Sequence, residues 1–275
     1  MSILMCPVCK NPLLQDGKRY ICKNNHSFDI SKKGYVNLLM SNASKEKRHG
    51  DDKAMISART DFLERGFYSP LSKAVSEMAT EECENKISPT VFECGCGECY
   101  YLSNLGKALA EKNISPVLYG MDISKEALPF GKKRDPQIKL FAASAFKLPL
   151  LNESVDIAIS IFAPMDINEM SRILKKGGLL IKVIPKEEHL IELKRVLYDN
   201  VYLNRPVVES CESLEILSNE TLEYKFTLKN GEEIESLFKM TPYYYKTSAT
   251  AQQKLLSMEK LEITASFGLI KYKKK

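Results

Sequence analysis

The chain has 275 residues, 44% hydrophobic and 27% charged, with a formal net charge of +5. That composition excludes a disordered or fibrous chain, and the length suits one large domain, alone or with a small appendage. No run approaches the roughly 18 apolar residues of a membrane span, and the start MSILMCPVCK lacks the features of an export signal, so a cytoplasmic chain with reduced or metal-bound cysteines is expected.

Residues 1–60 carry eleven Lys or Arg against five Asp or Glu, whereas the other 215 residues carry 29 against 30. A positive excess confined to the first fifth of a chain points to an anionic partner such as a nucleic acid, or to no more than a solvated face. Within that stretch Cys6, Cys9, Cys22 and His26 form C-x2-C-x12-C-x3-H. Three thiolates and an imidazole at this spacing are a tetrahedral ligand set for structural zinc, each pair on a tight knuckle and the segment between folded as a hairpin. A module of about 35 residues buries too little apolar surface to fold alone, so the metal is expected to supply much of its folding energy. Lys10, Lys18, Arg19, Lys23, Lys32 and Lys33 lie around the ligands, with Tyr20, Phe28 and Tyr35 between them. Basic groups can hold phosphates and aromatic rings can stack on unpaired bases, although Phe28 and Tyr35 are better read as filling the small core.

Residues 41–50, SNASKEKRHG, read as a linker, and a helix is expected from near Asp52, where Met55, Ala58, Arg59, Phe62 and Leu63 recur at helical spacing. From about Pro70 strands and helices alternate, the pattern of a parallel α/β sheet. Strands are expected at Val91 to Cys94, Val117 to Asp122, Lys139 to Ala143, Val155 to Ile161 and Leu179 to Ile184, and helices at Tyr101 to Lys112, Lys125 to Arg134, Asn168 to Leu174 and Glu188 to Asn200. Leu222 to Leu228 and Ile263 to Tyr272 could add antiparallel edge strands.

The first of these strands runs into Glu93-Cys94-Gly95-Cys96-Gly97-Glu98-Cys99. A glycine turn between strand and helix lets a cofactor approach the backbone. The dinucleotide fingerprint needs a third glycine where the chain has Tyr100, so NAD or FAD is disfavoured. Asp122 ends the next strand, where a carboxylate can accept hydrogen bonds from ribose or simply cap the start of the next helix. The acid-G-x-G turn, Asp122, Leu148-Pro149, Asp156 and Lys176-Gly177-Gly178 resemble, in order and interval, the motifs of class I S-adenosylmethionine-dependent methyltransferases, and a Rossmann-like sheet with a small zinc-ribbon-like head is the expected fold.

Further segments make the resemblance narrower. The Cys-Cys-Cys-His head joined to GYVNLL, the GCGECYYL turn, GMDIS, IFAP, LKKGG, EHLIELK and MTPYYY together resemble the bacterial 23S rRNA (guanine-N1)-methyltransferases, the RlmA-type enzymes. The resemblance implies S-adenosylmethionine and structural zinc as cofactors. It implies 23S rRNA as partner, with transfer to guanine N1 in a domain II hairpin, and a homodimer whose heads help form the RNA cleft. In some bacteria the modification contributes to antibiotic resistance. Residues 1–36 would be the zinc and RNA-recognition domain, 37–69 a linker and helix, and 70–275 the methyltransferase.

It further implies cofactor contacts from Tyr68, Gly97, Glu98 and His189, to which the turn adds Glu93, Gly95, Cys99 and Asp122. The family's turn usually reads GCGEG, so Cys99 is a departure that would cost about 1 kcal/mol if the position needs positive φ. Phe162, Pro164 and Asp166 are the candidates at the acceptor side, with Tyr243, Tyr244 and Tyr245 as a second stacking surface or a packed strand. Glu98, Asp166 and His189 are candidate proton acceptors, none assigned. Lys271 to Lys275 reads as a solvated tail. A small-molecule acceptor, or RNA binding without catalysis, are the alternative functions.

Overall fold

A computed structural model describes residues 2–40, 50–83 and 86–275; residues 41–49, most of the expected linker, lie outside them. The head holds β1 (Leu14–Asp16), β2 (Arg19–Ile21) and β3 (Ser27–Asp29) in one antiparallel sheet. Gly17, at φ +60°, is the first of the two turn residues, with Lys18, that bring Asp16 opposite Arg19, a position that two-residue hairpins give to glycine.

β4 (Tyr35–Asn37) leaves the head and pairs in parallel with β7 (Lys139–Ala142) of the large sheet. The boundary expected at residue 36 therefore falls inside a strand of the body. Two helices follow, α1 (Lys53–Glu64) and α2 (Ser69–Cys83). Asp52 caps α1 by accepting the Met55 N–H at 3.0 Å. α2 was not among the expected helices; it buries Leu71, Val75, Met78 and Ala79 along one face.

The body alternates β5 (Thr90–Cys94), α3 (Tyr100–Glu111), β6 (Val117–Asp122), α4 (Leu128–Arg134), β7, β8 (Val155–Ile161), α5 (Ile167–Ile173), β9 (Leu174–Pro185) and α6 (Ile191–Leu197). Then come β10 (Leu214–Leu228), α7 (Gly231–Lys239), α8 (Ala249–Leu256) and β11 (Leu261–Lys274). The strand order is β10-β11-β9-β8-β5-β6-β7-β4. β4 to β9 pair in parallel, and β11 is antiparallel to both β9 and β10. The order turns back between β5 and β8, the crevice where open α/β sheets bind ligands.

Alternation along the strands divides the core in two. Val91, Ile157 and Ile181 face a cluster with α2 and α3, while Phe92, Ala158 and Leu180 face the other side. That second cluster also holds Leu4, Leu13, Tyr20 and Val36, so the head shares its apolar core with the sheet. Each such side chain contributes about 1.5–3 kcal/mol when buried. Met5 N–H donates to Pro149 O at 2.8 Å and Leu151 N–H to Ile3 O at 2.9 Å, which adds backbone contacts to the packing.

Three expectations need correction. Tyr20 is buried at 6% exposure and cannot stack on a base. Lys271 to Lys274 belong to β11, where Lys271 pairs with Glu81 and Lys273 with Glu82 of α2, instead of trailing into solvent. The helix expected from Glu188 begins at Ile191, because Leu190 takes a left-handed φ of +57°. Asp156, one of the resembling motif residues, accepts Thr90 N–H and pairs with Lys175 and Lys86, fixing the start of β5. Among the described residues no helix is long and apolar enough to cross a membrane.

Candidate active site and metal centre

The four ligands of the head converge, with all their donor atoms within 4.8 Å of one another. Cys6 Sγ lies 3.6 Å and Cys22 Sγ 3.4 Å from His26 Nδ1, and Cys9 Sγ lies 3.6 Å from Cys22 Sγ. Zinc with bonds of about 2.0–2.3 Å sets tetrahedral ligands roughly 3.3–3.8 Å apart, so the donors fit it. Two knuckles produce this geometry. Lys10 N–H donates to Cys6 O and Asn25 N–H to Cys22 O, with Lys10 and Asn25 in the left-handed region at φ +65° and +62°. Asn11 hydrogen bonds hold the Cys9 thiol down at about 6, which favours the thiolate a metal needs. Among the described residues no second Cys, His, Asp and Glu group converges this way. Lys10, Lys18, Arg19, Lys23, Lys32 and Lys33 are all exposed around the site.

The second site is a cavity of about 700 Å³ at the carboxyl ends of β5 and β8. Its floor is the turn after β5. Gly95 and Cys96 donate their N–H groups to Met121 O, and Gly97 N–H donates to Asp122 Oδ2 at 2.8 Å. Gly95 sits at φ +74°, where a Cβ would overlap the Ala163 methyl; Gly97, at +52°, would present one only to the Arg59 guanidinium, 3.6 Å away. Asp122 also accepts Ser124 N–H at 2.7 Å, and its burial raises its pKa.

Glu93, 2% exposed, lines this cavity with Oε2 unpaired. Burial, with Glu98 nearby, pushes its pKa well up. An unpaired buried carboxylate oxygen beside a side-chain-free turn calls for a donor from a ligand. An amino-acid ammonium and ribose hydroxyls, both present in S-adenosylmethionine, match Glu93 and Asp122. The residues fit that cofactor.

Tyr68, Glu93, Gly95, Gly97, Glu98, Asp122, His189, Phe162 and Pro164 all line the cavity. Cys99 and Asp166 do not. Cys99 precedes α3 at φ +62°, fully buried, with its thiol against Gly131, where a Cβ would lie 2.5 Å from Sγ. Asp166 caps α5 by accepting Asn168 N–H at 2.8 Å. Phe162, at φ +56° and 42% exposed, forms part of the mouth with Phe146, 61% exposed. The Tyr243 to Tyr245 run is neither a strand nor one platform. Tyr243 precedes a short 3-10 turn (Tyr244–Lys246) and lines the cavity, while Tyr244 packs on Phe238 and the Tyr245 hydroxyl bonds Asp52.

Sequence reasoning missed the contribution of α1, whose Met55, Arg59 and Leu63 line one wall. Arg59 pairs with Asp51 there. The signal was an arginine inside the apolar spacing of that helix. Phe146 and Asn204, in irregular segments, offered none.

Comparison with known proteins adds two family matches and several relatives. Residues 4–47 match the zinc-ribbon model described as RlmA, N-terminal, and residues 92–182 match a methyltransferase domain. A Bacillus subtilis (strain 168) protein provisionally named 23S rRNA (guanine-N1)-methyltransferase YxjB is 30% identical over 98% of this chain and 96% of its own length. The 23S rRNA (guanine(748)-N1)-methyltransferase of Streptomyces fradiae is 32% identical over 69% of this chain and 66% of its own. Among solved structures, the YcgJ protein of Bacillus subtilis is 14% identical, covering 73% of this chain and 97% of that one at a TM-score of 0.46.

Proposed function

Since this chain belongs to the 23S rRNA (guanine-N1)-methyltransferase family, we propose that it methylates N1 of one guanine in a domain II hairpin of 23S rRNA, acting in the cytoplasm as a homodimer. The observation that carries the reading is the mouth of the cavity. Phe162 is held exposed in a strained left-handed conformation at the end of β8, beside Pro164 and next to the glycine turn. Strain of this kind, about 1–3 kcal/mol, persists where surroundings enforce it and concentrates at functional sites. An exposed ring there suits the flat face of a base taken out of its stack.

The bound cofactor supplies an electrophilic methyl group. Tyr68, Glu93, Gly95, Gly97, Glu98 and Asp122 would hold it, Glu93 at its ammonium and Asp122 at its ribose, with His189 behind Tyr68. Phe162 and Pro164 would orient the guanine so that N1 faces the methyl; as the new N–C bond forms and the sulfonium becomes a thioether, the N1 proton passes to a nearby base or to water. Cys6, Cys9, Cys22 and His26 hold zinc as a structural ion, with no ligand position left for chemistry. The exposed basic residues of the head take phosphates, so binding should weaken steeply with salt.

Incubation with S-adenosylmethionine and unmodified 23S rRNA, followed by reverse transcription, tests the assignment. N1-methylguanine blocks pairing, so one new stop within the domain II hairpin is expected. A stop elsewhere overturns the choice of hairpin; no methylation of 23S rRNA overturns the function.

A further inference from the structure

β9 ends at Pro185 opposite Phe267, which leaves the backbone of Ser266 on β11 facing residues beyond the strand. The Ser266 carbonyl accepts Lys186 N–H at 2.9 Å, and Ser266 N–H donates to His189 Nδ1 at 3.3 Å. A peptide N–H has no lone pair to offer, so Nδ1 is the ring nitrogen without a proton. The neutral ring then carries its proton on Nε2, 3.3 Å from the Tyr68 hydroxyl oxygen. That N–H donates to the hydroxyl, and the hydroxyl's own proton is left for another acceptor. Burial, with Lys194 nearby, holds the imidazole down at about 3, in keeping with a neutral ring. Phe162 and Phe267 lie against the ring at centroid distances of 6.1 and 4.7 Å and limit its rotation.

Both Tyr68 and His189 line the cavity, at 3% and 8% exposure. Asp51, Glu93, Glu98 and Asp122 line it as well, while Arg59 is the sole Lys or Arg among its lining residues. A ligand carboxylate entering such an acid-lined space needs donors, and the Tyr68 hydroxyl is one that carries no charge to be neutralised by the neighbouring acids. We propose that His189 is a positioning residue: fixed as its Nε2–H tautomer, it makes the Tyr68 hydroxyl a donor to the α-carboxylate of the bound cofactor. Both its nitrogens are thereby engaged, so His189 is not the acceptor of the guanine N1 proton. The inference rests on the reading of this cavity as the S-adenosylmethionine site.

Two measurements on the full chain test it. Long-range nitrogen-proton spectra of the zinc-loaded protein should show His189 Nδ1 as the unprotonated nitrogen and Nε2 as the protonated one; the opposite tautomer overturns the proposal. Calorimetry then compares S-adenosylhomocysteine with 5′-methylthioadenosine, which lacks the amino-acid part. Tyr68→Phe should weaken the first about tenfold, the loss expected for one hydrogen bond to a charged group, and the second less than about twofold. His189→Asn keeps an acceptor near Ser266 but loses the donor to Tyr68, and should match that loss.

His189→Gln, which restores an N–H near the ε position, should recover most of the lost affinity. In the Tyr68→Phe background His189→Asn should add less than about twofold, as coupled residues do. Fully additive losses, or a fall in kcat at unchanged KM for the cofactor in His189→Asn, would show that His189 acts directly and overturn the proposal. Wild-type protein that binds neither probe would instead refute the cofactor reading beneath it. The spectra use the wild-type chain and decide the tautomer even where a variant fails to fold.

Discussion

The head and the cofactor turn each hold three of the eight cysteines, in opposite environments. In the head Cys6, Cys9 and Cys22 turn their sulfur atoms toward His26 and toward one another, and Cys9 is held near 6. In the turn Cys94, Cys96 and Cys99 are buried in apolar surroundings with their pKa values raised, and Cys99 packs on the glycine of another helix. Both segments are rich in cysteine, yet one converges on a point and the other spreads along a strand end. Local backbone geometry decides the difference: two left-handed knuckles fold the head's sulfurs inward, whereas positive φ at Gly95, Gly97 and Cys99 opens the turn.

Removing the metal should give the largest effect. Cys22→Ala should reduce zinc from one per chain to near none and lower methylation of 23S rRNA about tenfold or more, because the metal supplies the head's folding energy. Metal content and methyl incorporation check this. S-adenosylhomocysteine affinity should change less than about threefold; a larger fall would show that the core shared by Leu13, Tyr20 and Phe141 couples the two regions.

Gly95→Ala should have the converse outcome. A Cβ at φ +74° against Ala163 adds strain of about 1–3 kcal/mol at the cavity floor, so calorimetry should show S-adenosylhomocysteine binding weakened at least about tenfold with zinc content unchanged. Loss of zinc in this variant would break the contrast.

Gly131→Ala probes the departure at Cys99. The added methyl meets Cys99 Sγ at 2.5 Å and should destabilise the protein by about 1–2 kcal/mol, as overpacking does. Cys99→Gly removes both the thiol and the left-handed side chain. Alone it should change stability by less than about 1 kcal/mol, since relief of strain offsets the lost packing, and combined with Gly131→Ala it should restore most of the loss. Thermal unfolding of the single and double variants measures this, and additive effects would contradict the contact.

The smallest predicted difference is in thiol reactivity. In zinc-loaded protein Cys211 should react first with a disulfide reagent near pH 8. Its partial burial is outweighed by hydrogen bonds from Ser213, which hold its thiol below the usual value, so more of it is thiolate at that pH. Cys96 is pushed up by burial and should react only on unfolding. Equal rates would contradict the burial of the turn.

The strands that build the site were legible because each is a short apolar run between turn residues: Val117 to Asp122 and Val155 to Ile161 coincide with β6 and β8, β5 and β7 differ from expectation by one residue, and β9 starts five residues before Leu179, running through Lys176-Gly177-Gly178. The metal ligands were equally legible, since their spacing specifies the chemistry. What escaped depends on side-chain direction. Nothing in Asp166 distinguishes a helix cap from a cavity acid, and Cys99 shares a backbone turn with Gly97 yet points away toward Gly131. Arg59 sat in plain view within a helical pattern, but only the folding of α1 over the sheet end makes it part of a wall.

The most direct test of the proposed function is nucleoside mass spectrometry of unmodified 23S rRNA incubated with the zinc-loaded protein and S-adenosylmethionine. The account predicts N1-methylguanosine as the one new modified nucleoside, at up to one per rRNA molecule. Methyl groups on another base or another guanine position, or none at all, would contradict it.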